Sequence, residues 1–140
     1  MATLTTKLFK AFAPLLPRNK EYGLTQRGFN AVLLFPHDED KAEEAMAALS
    51  GWDLRSIRKV ATRLAAQARE EEDDDLFDAA ETLREIASEL PHRRSLDSVA
   101  AGKKPLCLVC LRALRTRDPA WIEHGVHKSC QSLLTQESVL

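Results

Sequence analysis

Two runs of apolar residues repeat along the chain at alternating steps of three and four. Leu54, Ile57, Ala61, Leu64 and Ala68 make the first run, and Leu76, Ala80, Leu83, Ala87 and Leu90 make the second. Residues three and four apart are neighbours on the surface of an α-helix, so each run is one apolar stripe. Two matched stripes with a short connection predict an antiparallel helical hairpin, each stripe buried against the other. Between them lies Glu70-Glu71-Glu72-Asp73-Asp74-Asp75. Like charges repel at i,i+4 within a helix, which places the turn near residues 70–74, with an Asp capping the second helix. The run lacks the spaced Gly and alternating ligands of a calcium loop, and reads as a solvated acidic turn. Pro91 is expected to stop the second helix.

The flanking segments carry shorter patterns. Leu4, Leu8, Phe12 and Leu15 share one helical face with Lys7 and Lys10 beside it, and Pro14 and Pro17 end the pattern. This N-terminal amphipathic segment, residues 1–22, is expected to pack its apolar face on the main domain; a basic, acid-poor mitochondrial presequence has the same look. The apolar run from Gly28 to Phe35, closed by Pro36, reads as a helix because no second strong strand exists nearby to pair with it. Asp38 or Asp40 is placed to cap the next helix, through about Leu49, with Gly51 just past its end and Asp53 capping the first hairpin helix. Arg55, Lys59 and Arg63 fall on one side of that helix as a basic ridge, and Asp78, Glu81, Glu85 and Glu89 line the second helix. Both are expected to be solvated faces. Ser95 can cap a short further helix ended by Gly102. The expected fold is mainly α: a helical domain over residues 23–102, then a small C-terminal unit with a tail over residues 103–140.

Composition supports that fold class. Hydrophobic residues make up 44% of the 140, enough for a core, and aromatics only 6%, so Ala and Leu carry the pattern and favour helices. No apolar run approaches the roughly 18 residues of a membrane span. The net charge of −1 hides segregation: +4 over residues 1–36, −9 over 37–92 and +4 over 93–140. A polyanion would be met by the ends and repelled by the middle. Three cysteines leave one unpaired in any disulfide scheme and nothing marks the chain as secreted, so an intracellular protein, cytoplasmic or nuclear, is expected. His92-Arg93-Arg94 and Lys103-Lys104 loosely follow the spacing of a bipartite nuclear import signal, although a solvated linker is the plainer reading.

The candidate chemistry lies in the last third. Cys107, Cys110, His127 and Cys130 spell C-x₂-C-x₁₆-H-x₂-C and use every cysteine in the chain. Two tight pairs of soft or borderline ligands, each able to wrap an ion from one side, suit tetrahedral Zn²⁺. His124, three residues before His127, is the rival nitrogen ligand. His127 is favoured because it pairs with Cys130 one helical turn on, whereas Trp121 to Val126 alternates like a strand ending at Gly125. Four protein ligands leave no open position for water, so one structural zinc is expected rather than a catalytic one, and Glu123 reads as a solvated strand residue rather than a general base.

A C-x₂-C turn, a hairpin and then His127-Lys128-Ser129-Cys130 entering a helix resemble treble-clef zinc fingers, especially the first zinc site of LIM domains. The resemblance covers about residues 105–134 and departs from LIM domains in having no ligands for a second site. It implies zinc but not a partner, since such fingers bind DNA, RNA, lipid headgroups or proteins. Arg112, Arg115, Arg117 and Lys128 are candidate contacts for nucleic acid or a protein partner. Glu137-Ser138-Val139-Leu140 suits strand addition to a PDZ domain, with Leu140 in the pocket and Ser138 supplying a hydrogen bond. Compact zinc modules with such a tail are also seen among viral accessory proteins, to which the chain bears a loose resemblance. No phosphate loop, nucleophile elbow or paired catalytic carboxylates are visible, so no enzymatic activity is expected. The expected function is a zinc-stabilised adaptor or regulator acting through protein contacts, with self-association through the helical seams as a further option. The alternative is a nucleic-acid-binding regulator using the finger and the basic ends.

Overall fold

The computed structural model describes residues 3–16, 23–114, 125–127 and 130. Within these the protein is mainly helical, with α1 at Leu4–Phe12, α2 at Gln26–Leu34, α3 at Glu39–Ala47, α4 at Gly51–Glu70 and α5 at Asp74–Ala100. A 3₁₀ turn at Ala13–Leu15, with Pro14 inside it, ends α1. No helix among the described residues is long and apolar enough to cross a membrane.

α4 and α5 form the hairpin that the two apolar stripes predict. All ten stripe residues are buried in one core, joined there by Leu8 and Phe12 of α1 and by Phe29, Ala31 and Val32 of α2. The N-terminal helix therefore packs its apolar face on the body, as its amphipathic pattern predicts. Those seams are consumed within the chain, and self-association would need other surfaces.

The acidic turn falls where repulsion places it. Helix α4 ends at Glu70, and the Asp73 carboxylate caps α5 by accepting from Leu76 N–H at 3.2 Å. Asp73 N–H bonds Ala68 O and Glu72 N–H bonds Arg69 O, closing α4 with a left-handed residue, Glu72, at φ 56°. Lys7 of α1 pairs with the same Asp73. The ammonium's hydrogen bond and the Leu76 N–H hold this carboxyl below its ordinary value of 3.8.

Four expectations are corrected. Gly51 does not follow a helix but begins one: Ser50 is the N-cap of α4, its hydroxyl accepting from Asp53 N–H at 3.2 Å. Asp53 consequently lies inside the first turn and is buried, where its carboxylate accepts from Thr25 N–H (3.2 Å) and Thr25 Oγ1 (2.7 Å) at the start of α2. The basic ridge is not a solvated face: Arg55 is 1% and Lys59 6% exposed, and only Arg63 of the three reaches the surface. The first half of α4 is surrounded, because Ser56 Oγ donates to Gly23 O on one side and Arg58 Nη1 donates to Ala87 O of α5 on another.

The last correction concerns Pro91, which does not stop α5. The helix runs to Ala100, so Ser95 is an interior residue and caps nothing. Proline has no N–H to give the carbonyl four residues earlier, which here is that of Ala87. The Arg58 guanidinium supplies the missing donor at 3.0 Å. Beyond the proline the helix is held to α3: Arg93 pairs with Glu43 at 3.0 Å, and Arg94 donates to the Met46 and Ala47 carbonyls at the C-terminal end of α3. Gly102 (φ 78°) then closes α5, its N–H on Val99 O and that of Lys103 on Ser98 O.

Candidate metal centre

After Gly102 the chain turns back on itself in a short hairpin. Leu114 N–H bonds Pro105 O at 2.8 Å, Cys107 N–H bonds Arg112 O at 2.9 Å, and Leu106 bridges Ala113 in antiparallel fashion. Within it, Leu111 N–H reaches back to Cys107 O at 2.9 Å and closes the C-x-x-C turn. That closure puts Leu111 at φ 59°, a left-handed conformation that a leucine adopts only under restraint. Its side chain packs against the helical core.

This turn brings Cys107 and Cys110 to His127 and Cys130. One ligand atom from each residue lies within 4.8 Å of all the others. Tetrahedral bonds of about 2.3 Å to sulfur would set ligand atoms roughly 3.8 Å apart, so a small contraction encloses an ion. Cys110 Sγ and His127 Nδ1 are already 3.3 Å apart. Leu108 N–H on Gly125 O (3.1 Å) ties the segment of the second pair to the first, and Cys130 N–H on His127 O (2.9 Å) turns the second pair on itself. The four residues can hold a metal ion, and the donor set of three thiols and an imidazole fits Zn²⁺.

The surroundings assign roles to individual atoms. His127 Nε2 lies 3.2 Å from Ala113 O, a carbonyl that can only accept, so Nε2 carries the proton and Nδ1 offers its lone pair to the site. Cys107 Sγ receives the backbone N–H groups of Val109 and His127, each at 3.4 Å. Burial raises the Cys107 thiol, but the N–H groups of Cys110, His127 and Val109 outweigh it and leave the thiol below its ordinary 9.0. Burial raises Cys110, and burial with two neighbouring sulfurs pushes Cys130 up to about 12. Three thiolates cannot share this space without a cation. An ion must displace those protons, so binding strengthens as pH rises.

Of the other sequence candidates, Arg112 is exposed on the hairpin. Arg115, Arg117, Lys128, the rival ligand His124, Glu123 and the tail residues Ser138 and Leu140 lie outside the described residues. Sequence reasoning missed the seat of the turn. A Cβ on Gly51 would come within 2.3 Å of Val109 O and 2.9 Å of the Cys110 backbone, so the C-x-x-C turn rests directly on the start of α4. The signal was present in Ser50-Gly51-Trp52-Asp53, an S-x-x-D start that places Gly51 at the first helical position. Comparison of the chain with family models, curated proteins and solved structures returns no match.

Proposed function

We propose that the protein is a non-enzymatic adaptor or regulator whose C-terminal part is a treble-clef-like finger built on one structural zinc. The observation that carries this reading is the convergence of Cys107, Cys110, His127 and Cys130 within 4.8 Å. All four donors are protein side chains, so a bound zinc has no open position for water or substrate and serves to hold shape. The C-x-x-C turn closed at Leu111 and the His127–Cys130 turn resemble the two halves of a treble clef and of the first LIM site. Contacts with another protein fit better than contacts with a polyanion. Arg55 and Lys59 are buried, the exposed side of α5 carries Asp78, Glu85 and Glu89, and the middle of the chain holds a charge of −9.

Nucleic-acid titration at physiological ionic strength tests the choice of partner. With about four phosphate contacts available, log K against log salt would slope near −3 to −4 and leave only weak binding. Sub-micromolar affinity lost on replacing Arg112, Arg115 and Arg117 with Ala would instead make the finger a nucleic-acid contact.

A further inference from the structure

The metal-bearing turn is built into the helical body at three separate places. Val109 O and the Cys110 backbone lie where a Gly51 side chain would be. Leu111, held at φ 59°, packs on the helical core rather than on the small cluster around the cysteines. α5 holds the incoming segment: Ser95 Oγ accepts from Leu106 N–H at 2.9 Å, and Ser98 Oγ donates to Lys104 O at 2.7 Å.

We propose that the metal site is a clasp on the helices. Metal occupancy fixes the turn in the shape that docks on α4, and the docked helices hold the turn in the shape that binds metal. The inference rests on the metal-binding reading above. Coupling of this kind is reciprocal: the factor by which docking strengthens metal binding is the factor by which metal strengthens docking. The helical body keeps its own large core, so loss of metal loosens it without unfolding it.

Gly51 provides a test by sign. Alanine is the better helix former, so at a free helix end Gly51→Ala would stabilise α4. Beneath the turn the added methyl meets backbone atoms, which cannot swing aside as the end of a flexible side chain can. The clasp therefore predicts the opposite sign. Ser95→Ala weakens the same docking without a steric clash.

The experiment uses the full chain as wild type, Gly51→Ala and Ser95→Ala. Zinc affinity is measured by competition with a chromophoric chelator. Helix melting is followed by far-ultraviolet circular dichroism, with one equivalent of zinc or with excess chelator. Wild-type helices should melt about 5 °C or more higher with zinc. Both variants should still bind one zinc, with roughly tenfold weaker affinity, and lose most of that shift. Wild-type helices that melt at the same temperature with and without one bound zinc would overturn the clasp and leave the metal site standing. So would a Gly51→Ala protein that melts higher and keeps its affinity. A wild-type chain that binds no zinc would remove the metal reading and the clasp together.

Discussion

In the helical body twenty buried residues, drawn from all five helices and the segments beside them, form one continuous core. Around the cysteines the corresponding cluster has five among the described residues, and two of those are the candidate ligands Cys107 and Cys130. Ordering a residue costs about 1–2 kcal/mol of backbone entropy, and the described cluster around the cysteines offers far less apolar burial to set against it than the helical core does. On the zinc reading the turn would gain the roughly 10–16 kcal/mol that a structural zinc contributes in small fingers. Metal binding and the packing of Leu111 on the helical core would then together hold its left-handed conformation.

The largest effect expected is the separation of the two regions by a single ligand change. Cys130→Ala should reduce bound zinc from one equivalent to near zero by elemental analysis, while most helical circular dichroism remains. His124→Ala should leave the metal content unchanged. Complete loss of helix in Cys130→Ala would show the two regions to be one cooperative unit and would break the comparison.

Within the body, the contact that carries α5 past Pro91 gives the next largest effect. Arg58→Ala leaves the buried Ala87 carbonyl without its guanidinium donor and should cost about 2 kcal/mol in denaturant unfolding. Pro91→Ala restores the backbone N–H to that carbonyl, so Arg58→Ala should cost less in a Pro91→Ala background. Equal costs in both backgrounds would mean that Arg58 does not act through this carbonyl.

A smaller gain is expected at the acidic turn. Glu72 occupies the left-handed closing position of α4, where glycine carries no Cβ penalty. Glu72→Gly should raise the unfolding free energy by about 0.5–1 kcal/mol, and a loss would contradict the conformational argument.

The smallest effect is a pH dependence. The Asp73 carboxyl is held below 3.8 by Lys7 and by Leu76 N–H, so its folded pKa lies below the unfolded one. Its contribution is therefore complete well above pH 3.8 and is lost as pH falls through the folded value. Acid unfolding curves of wild type and Lys7→Ala should differ near neutral pH and converge in strong acid. A difference that grows as pH falls would reverse the sign.

How much was legible in the sequence follows the same division. The hairpin, a capping Asp within the acidic run and the helical N-terminal segment were readable because apolar periodicity and repulsion among like charges act over neighbouring residues. The clustering of Cys107, Cys110, His127 and Cys130 was readable because metal chemistry calls for such residue types at such spacing. Pro91 misled because its missing hydrogen bond is supplied by Arg58, 33 positions earlier in the sequence. Arg55 and Lys59 misled because helical spacing gives a face but not what covers it. The seat on Gly51 and the left-handed Leu111 arise where the C-x-x-C turn meets the helices; the S-x-x-D pattern at Ser50 announces the helix start beneath the turn but not this long-range contact.

X-ray absorption at the zinc edge of the purified 140-residue chain tests the central claim most directly. Three sulfur ligands at about 2.3 Å and one nitrogen at about 2.0 Å, with no oxygen, are predicted for a closed site. A shell with fewer than three sulfurs, or with a water oxygen completing it, would contradict a purely structural zinc held by Cys107, Cys110, His127 and Cys130.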